Sequence, residues 1–225
     1  MNQSLVSEGL RERVRGLAIP VAMAFGRLGL TPNALSVIGF VGTCVAAWAA
    51  ATGSWTIAGI LVIAFGVFDL FDGALARATG TASKFGAFLD STLDRTGESL
   101  VLAGVAYACA IAYYPLGVAL AVLALALVPI VTYTRAKAEA LHLHGEVGFA
   151  PRPERLVVLS AGLLIGGLTG GVTGSGLLSL PPPESGGNLA ISVALSILVI
   201  TSTVTVFQRI IHVRRQLDTQ QQENQ

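Results

Sequence analysis

Phe68-Asp69-Leu70-Phe71-Asp72-Gly73-Ala74-Leu75-Ala76-Arg77, followed by Gly86, Asp90 and Asp94-Arg95, places four carboxylates inside otherwise apolar sequence. On a helix, Asp69 and Asp72 stand three apart and Asp90 and Asp94 four apart, so each pair shares one face. The stretch between the two runs, residues 78–85, is short, which sets the helices side by side and antiparallel and predicts that all four carboxylates converge. A charged side chain deep in a bilayer costs on the order of 3 kcal/mol, and four neighbouring aspartates also repel. Arg77 and Arg95 offset part of that charge. Divalent metal fits better, because hard cations take carboxylate oxygens, and four carboxylates suit two ions, Mg2+ or Mn2+, placed to clamp phosphoryl groups.

The rest of the chain supplies the membrane. Of 225 residues, 53% are hydrophobic and 12% charged, with mean hydropathy +0.71; soluble domains carry about 25% charged residues. A helical span needs about 20 apolar residues. Six candidates occur, at 33–52, 55–76, 86–112, 116–138, 155–172 and 188–210, separated by turns such as Thr52-Gly53-Ser54, Tyr114-Pro115 and a stretch holding Pro181-Pro182-Pro183. The predicted fold is all-α: a polytopic membrane protein of six transmembrane helices plus an N-terminal juxtamembrane amphipathic helix. Its expected divisions are an interfacial segment at 1–30, a membrane domain at 31–212 and a polar tail at 213–225, of which 216–225 reads as disordered.

All 14 Lys and Arg residues fall before span one, around the connections from two to three and from four to five, or at the end of span six. The connections after spans one, three and five hold none. Cytoplasmic loops carry the basic excess, so both termini and the carboxylates are expected on the cytoplasmic side of the cell membrane. Before span one, Leu5, Leu10, Val14, Leu17 and Ile19 recur near helical spacing among Glu8, Arg11, Arg13 and Arg15, as in a helix lying on the inner leaflet. The N-terminus lacks the pattern of a cleaved secretory leader. Cys44 and Cys109 sit in apolar runs and read as packing residues. A net charge of +1 makes no case for nucleic acid, and none is expected as a partner.

The spacing Asp69-x2-Asp72-Gly73-x2-Ala76-Arg77-x8-Gly86-x3-Asp90-x3-Asp94 resembles the signature of the CDP-alcohol phosphotransferases at all eight fixed positions. The resemblance implies a transferase that moves a substituted phosphate from a CDP-linked lipid to an alcohol and releases CMP. It further implies six helices, a metal-dependent site at the cytoplasmic interface and a homodimer. It assigns Asp94 as general base beside its role as metal ligand, and Pro32, Asn33, Ala34, Leu35, Gly73, Arg77 and Ser83 as contacts to the CDP-lipid. Thr31-Pro32-Asn33 also reads as a plain helix start, with Thr31 as cap; both roles are compatible.

Arg135, Lys137, Arg155 and Arg209 fall at cytoplasmic helix ends and suit a phosphate on the acceptor. They equally serve as positive anchors at the lipid boundary. Tyr133-x2-Ala136-x-Ala138-Glu139, then Gly148-Phe149 and Arg152-Pro153-Glu154-Arg155, resembles the phosphatidylinositol phosphate synthase branch, although Arg135 and Lys137 reverse that branch's Lys-then-Arg order. That branch implies CDP-diacylglycerol as donor and a phosphorylated polyol, L-myo-inositol 1-phosphate, as acceptor. Glycerol 3-phosphate is the alternative acceptor, and an intramembrane cation transporter the alternative class, since buried carboxylates also mark ion pathways. Against transport, the aspartates cluster toward one membrane face and the far halves of the spans offer no polar path.

Overall fold

The computed structural model describes the backbone of residues 8–145, 147–148, 151–174 and 185–223, and side chains between 18 and 222 within those ranges. Described residues form seven α-helices: α1 (Glu8–Arg27), α2 (Pro32–Ala51), α3 (Trp55–Thr79), α4 (Lys84–Ile111), α5 (Pro115–Ala140), α6 (Arg152–Leu168) and α7 (Gly186–Glu223). No strand occurs among them. The helix starts follow local chemistry. Thr31 Oγ1 accepts from the Ala34 N–H at 3.2 Å, with Pro32 in the first turn. Ser83 Oγ accepts from the Gly86 N–H at 3.0 Å and opens α4. Gly80, at φ 68°, ends α3 in the left-handed region that glycine tolerates best.

Each predicted span is a helix. Four of them, α2, α3, α5 and α7, are long and apolar enough to cross a membrane. The 28-residue α4 carries Asp90, Asp94, Arg95 and Glu98, and α6 has 17 residues. Neighbour relations close the six into a ring in the order α2, α3, α6, α7, α5, α4, with α1 against α3 outside it. Glycines explain the close approaches: a Cβ on Gly104 would lie 2.3 Å from the Ala47 carbonyl oxygen, and one on Gly59 3.0 Å from that of Ser160. Val101, Leu102, Val105, Leu159, Leu163 and Leu195 fill the interior. Trp48, Ile57, Ile60, Ile200 and Phe207 are exposed outside. An apolar exterior of this extent is what a lipid solvent demands.

Two expectations change. The segment read as a disordered tail is helical through Glu223. Extending an existing helix costs far less than nucleating one, and the Gln216 side-chain amide accepts from the His144 N–H at 2.9 Å and donates to its carbonyl at 2.8 Å. The second concerns the connection Arg152-Pro153-Glu154, which is the first turn of α6. Proline is tolerated there because first-turn N–H groups have no helical partner to lose.

α1 is helical as expected. Its described inner face is Ala18 and Ala22, packed with Leu35, Ala74 and Leu75, while Ile19 and Val21 are exposed. The side chains of Leu5, Glu8, Leu10, Arg11, Arg13, Val14, Arg15 and Leu17 lie outside the described residues, as do Phe149, Pro181-Pro182-Pro183 and the last two residues.

Candidate active site

α3 and α4 do not pack side by side as expected: each packs against α2, and this arrangement brings Asp69, Asp72 and Asp90 together, with one carboxylate oxygen from each within 4.8 Å of the others. Asp72 is buried, and its Oδ2 accepts from Ser36 Oγ on α2 at 2.5 Å. One oxygen of Asp90 is buried without a hydrogen-bond partner. A buried acceptor left unpaired is costly, and three hard oxygen donors around one point suit a divalent cation. The expected fourfold convergence is therefore modified. Asp94 stands outside this trio and is joined to it through Arg152, whose Nη1 lies 2.5 Å from Asp94 Oδ2 and 2.6 Å from Asp69 Oδ2. Charge compensation also differs from expectation. Arg95 turns to the Ser91 carbonyl and Arg77 lies over Gly73, while Arg152 faces the acids.

Beside the trio lies a cavity of about 230 Å³ lined by Pro32, Asn33, Gly73, Arg77, Ser83, Gly86, Asp72 and Asp90, among others. Five residues expected at the CDP-lipid meet there. Ala34 and Leu35 do not reach its wall: Leu35 is buried against α1 and α3. The glycines have a geometric reason. A Cβ on Gly86 would stand 3.0 Å from Asn33 Oδ1, and one on Gly73 3.1 Å from the Arg77 guanidinium.

The expected acceptor cations divide. Arg155 is buried and donates twice to Glu98, Nε to Oε1 and Nη2 to Oε2, both at 3.0 Å. Arg209 donates from Nε to the Val147 carbonyl at 2.8 Å and from Nη1 to that of Val131. Arg135 pairs with Glu139 at 2.8 Å on the exposed end of α5, where Lys137 is also exposed. Arg135 and Arg155 lie within electrostatic reach of Arg209.

Residues 29–207 match the family described as CDP-alcohol phosphatidyltransferase. The chain belongs to this family. Its relatives include the phosphatidylinositol phosphate synthase of Mycobacteroides abscessus, 33% identical over 206 residues, covering 91% of this chain and 86% of that protein. The archaetidylinositol phosphate synthase of Methanothermobacter thermautotrophicus is 34% identical over 166 residues, covering 74% and 80%. Among solved structures, Mycobacterium tuberculosis phosphatidylinositol phosphate synthase with CDP-DAG bound superposes with TM-score 0.73 at 31% identity, covering 87% of this chain and 92% of that one. The same enzyme in complex with manganese and citrate gives TM-score 0.74.

As a CDP-alcohol phosphatidyltransferase, the protein is a membrane-embedded enzyme of phospholipid biosynthesis with a carboxylate cluster able to bind metal. Three of its site contacts escape motif reading. Ser36, one helical turn past Pro32, is an ordinary residue until α2 packs on α3. Glu98, one turn beyond Asp94, has no place in the motif. Arg152 stands in the Arg-Pro-Glu-Arg stretch, where sequence reading assigns it no partner among the acids. A signal for the last two does exist: Asp94 and Glu98 are four apart on α4, Arg152 and Arg155 three apart on α6, so each helix shows one charged face to the other.

Proposed function

We propose that the protein transfers the phosphatidyl group of CDP-diacylglycerol to L-myo-inositol 1-phosphate, giving phosphatidylinositol phosphate and CMP. The observation that carries this is the carboxylate trio, two of whose members, Asp72 and Asp90, open onto a cavity lined by Gly73, Arg77, Ser83, Pro32 and Asn33. The relatives named above support the donor and the phosphorylated polyol. In this reading Asp69, Asp72 and Asp90, with Asp94, hold two Mg2+ or Mn2+ ions. Bound divalent ions would neutralise pyrophosphate oxygens and favour departure of CMP.

The chain's own groups supply the rest. Arg77 lies beside the cavity to pair with donor phosphate. Ser36 fixes the Asp72 carboxylate and thereby its orientation toward the site. Asp94 takes the proton of the attacking hydroxyl as the new phosphorus–oxygen bond forms and the bond to CMP breaks. Arg135, Lys137, Arg155 and Arg209 surround the acceptor phosphate. The six helices cross the cell membrane within a 31–212 domain, between an interfacial segment at 1–30 and a polar tail at 213–225. Both termini and the site face the cytoplasm, and the enzyme works as a homodimer.

The test is direct. Detergent-purified protein is given labelled CDP-diacylglycerol with either inositol 1-phosphate or glycerol 3-phosphate, with and without Mg2+ or Mn2+. CMP release with inositol phosphate and metal is expected. Product from glycerol 3-phosphate alone would overturn the acceptor, and absence of metal-dependent CMP release with every acceptor would overturn the reaction and return cation transport to consideration.

A further inference from the structure

The ring holds α4 and α6 opposite each other without close backbone approach, and two ion pairs span the gap. They differ in kind. Glu98–Arg155 is fully buried, fork to fork, with two parallel bonds of 3.0 Å. Arg152 instead reaches two acids with a single nitrogen, Nη1, while its buried Nε has no hydrogen-bond partner. Its side chain remains 27% exposed, against 2% for Arg155. The first pair is a closed structural unit. The second is a makeshift one: an unmatched donor, a bifurcated contact and access to water at the same guanidinium.

We propose that Arg152 is the internal counter-ion of the metal cradle: its guanidinium holds Asp69 and Asp94 together when no divalent ion is bound, and a divalent ion must displace it. This rests on the reading of the aspartates as metal ligands. The physical reason is repulsion. Asp69 and Asp94 come within reach of one nitrogen and Asp69 also shares the trio with Asp72 and Asp90, so a cation is required at every stage. Arg152 is the cation that the fold provides, and the unmatched Nε makes it the weaker of the two α4–α6 links. Arg152 thus acts as a positioning residue that sets metal affinity and keeps the cradle assembled, while Glu98–Arg155 keeps α4 and α6 in place during the exchange.

The full-length protein, stripped with chelator in detergent, is titrated with Mn2+ and free Mn2+ is read by electron paramagnetic resonance. Arg152→Gln removes the competing charge and is expected to bind Mn2+ about tenfold or more tightly than wild type. Its metal-free form is expected to melt lower, so the Mn2+-induced rise in Tm is larger. Arg152→Lys keeps the charge and is expected to return affinity toward the wild-type value. Equal or weaker Mn2+ binding by folded Arg152→Gln overturns the proposal and leaves the enzymatic reading standing. If Arg152→Gln does not fold, the wild-type structure with Mn2+ decides: Arg152 withdrawn from Asp69 and Asp94 supports displacement, and Arg152 still contacting both overturns it. Wild type that binds no Mn2+ overturns both this proposal and the metal assignment.

Discussion

The two halves of the ring satisfy their charges in opposite ways. On the α2–α3–α4 side, acids crowd together, Asp90 keeps an unpaired buried oxygen, and a cavity of about 230 Å³ opens beside them. On the α5–α6–α7 side, Arg155 is closed on Glu98, Arg209 on two backbone carbonyls and Arg135 on Glu139. One half gathers four acids of which a single guanidinium, that of Arg152, reaches two, and the other holds cations already anchored by protein. Buried charge is tolerated only when compensated, so the first half is the place for a cationic cofactor and its nucleotide. The second already anchors most of its cations on protein groups, and in the proposed reading it takes the phosphorylated alcohol.

The contrast is broken most completely at the acids. Asp94→Asn removes the proposed base but little volume, and turnover is expected to fall about 10²- to 10⁴-fold with CMP release as the measure and size-exclusion elution unchanged. A variant with full activity would exclude Asp94 as base. The next largest effect is on the other half. Glu98→Gln removes the buried negative charge that Arg155 is paired with, and a loss of about 3–5 kcal/mol of stability is expected in a thermal or denaturant melt. A melt close to wild type would mean that the α4–α6 link carries no structural role.

Smaller changes sharpen the comparison. Ser36→Ala withdraws the hydroxyl that donates to buried Asp72, at a cost of about 1–3 kcal/mol. It is expected to weaken Mn2+ binding and catalysis more than overall folding, read by metal titration beside the melt. The smallest effect belongs to the exposed pair Arg135–Glu139, where Glu139→Gln is expected to change stability by no more than about 0.5 kcal/mol. A larger fall would show that Glu139 orders the neighbouring cations as well.

Much of the fold was legible because its signals are local. Each predicted span is a helix whose ends fall within about four residues of those expected, except that α7 runs on to Glu223, since apolar length and caps such as Thr31 act within a turn or two of chain. The misreadings share a cause. Helix at 216–223 depends on the continuation of α7 and on Gln216 reaching His144, some 72 residues away. The helical first turn at Arg152-Pro153-Glu154 was hidden because proline is read as a break when it stands equally well at a start.

By itself, then, the sequence determined a membrane-embedded helical protein, the pairing of aspartates on two helix faces and the family signature, because hydropathy and helical periodicity are properties of neighbouring residues. Tertiary structure alone decided how each charge is compensated. It chose Arg152 over Arg77 and Arg95 as the partner of the acids, set Ser36 on Asp72 and closed Arg155 on Glu98, in pairs separated by 36 to 83 positions. Compensation depends on distances of about 3 Å, and only the closing of six helices into a ring fixes distances of that size between residues so far apart along the chain.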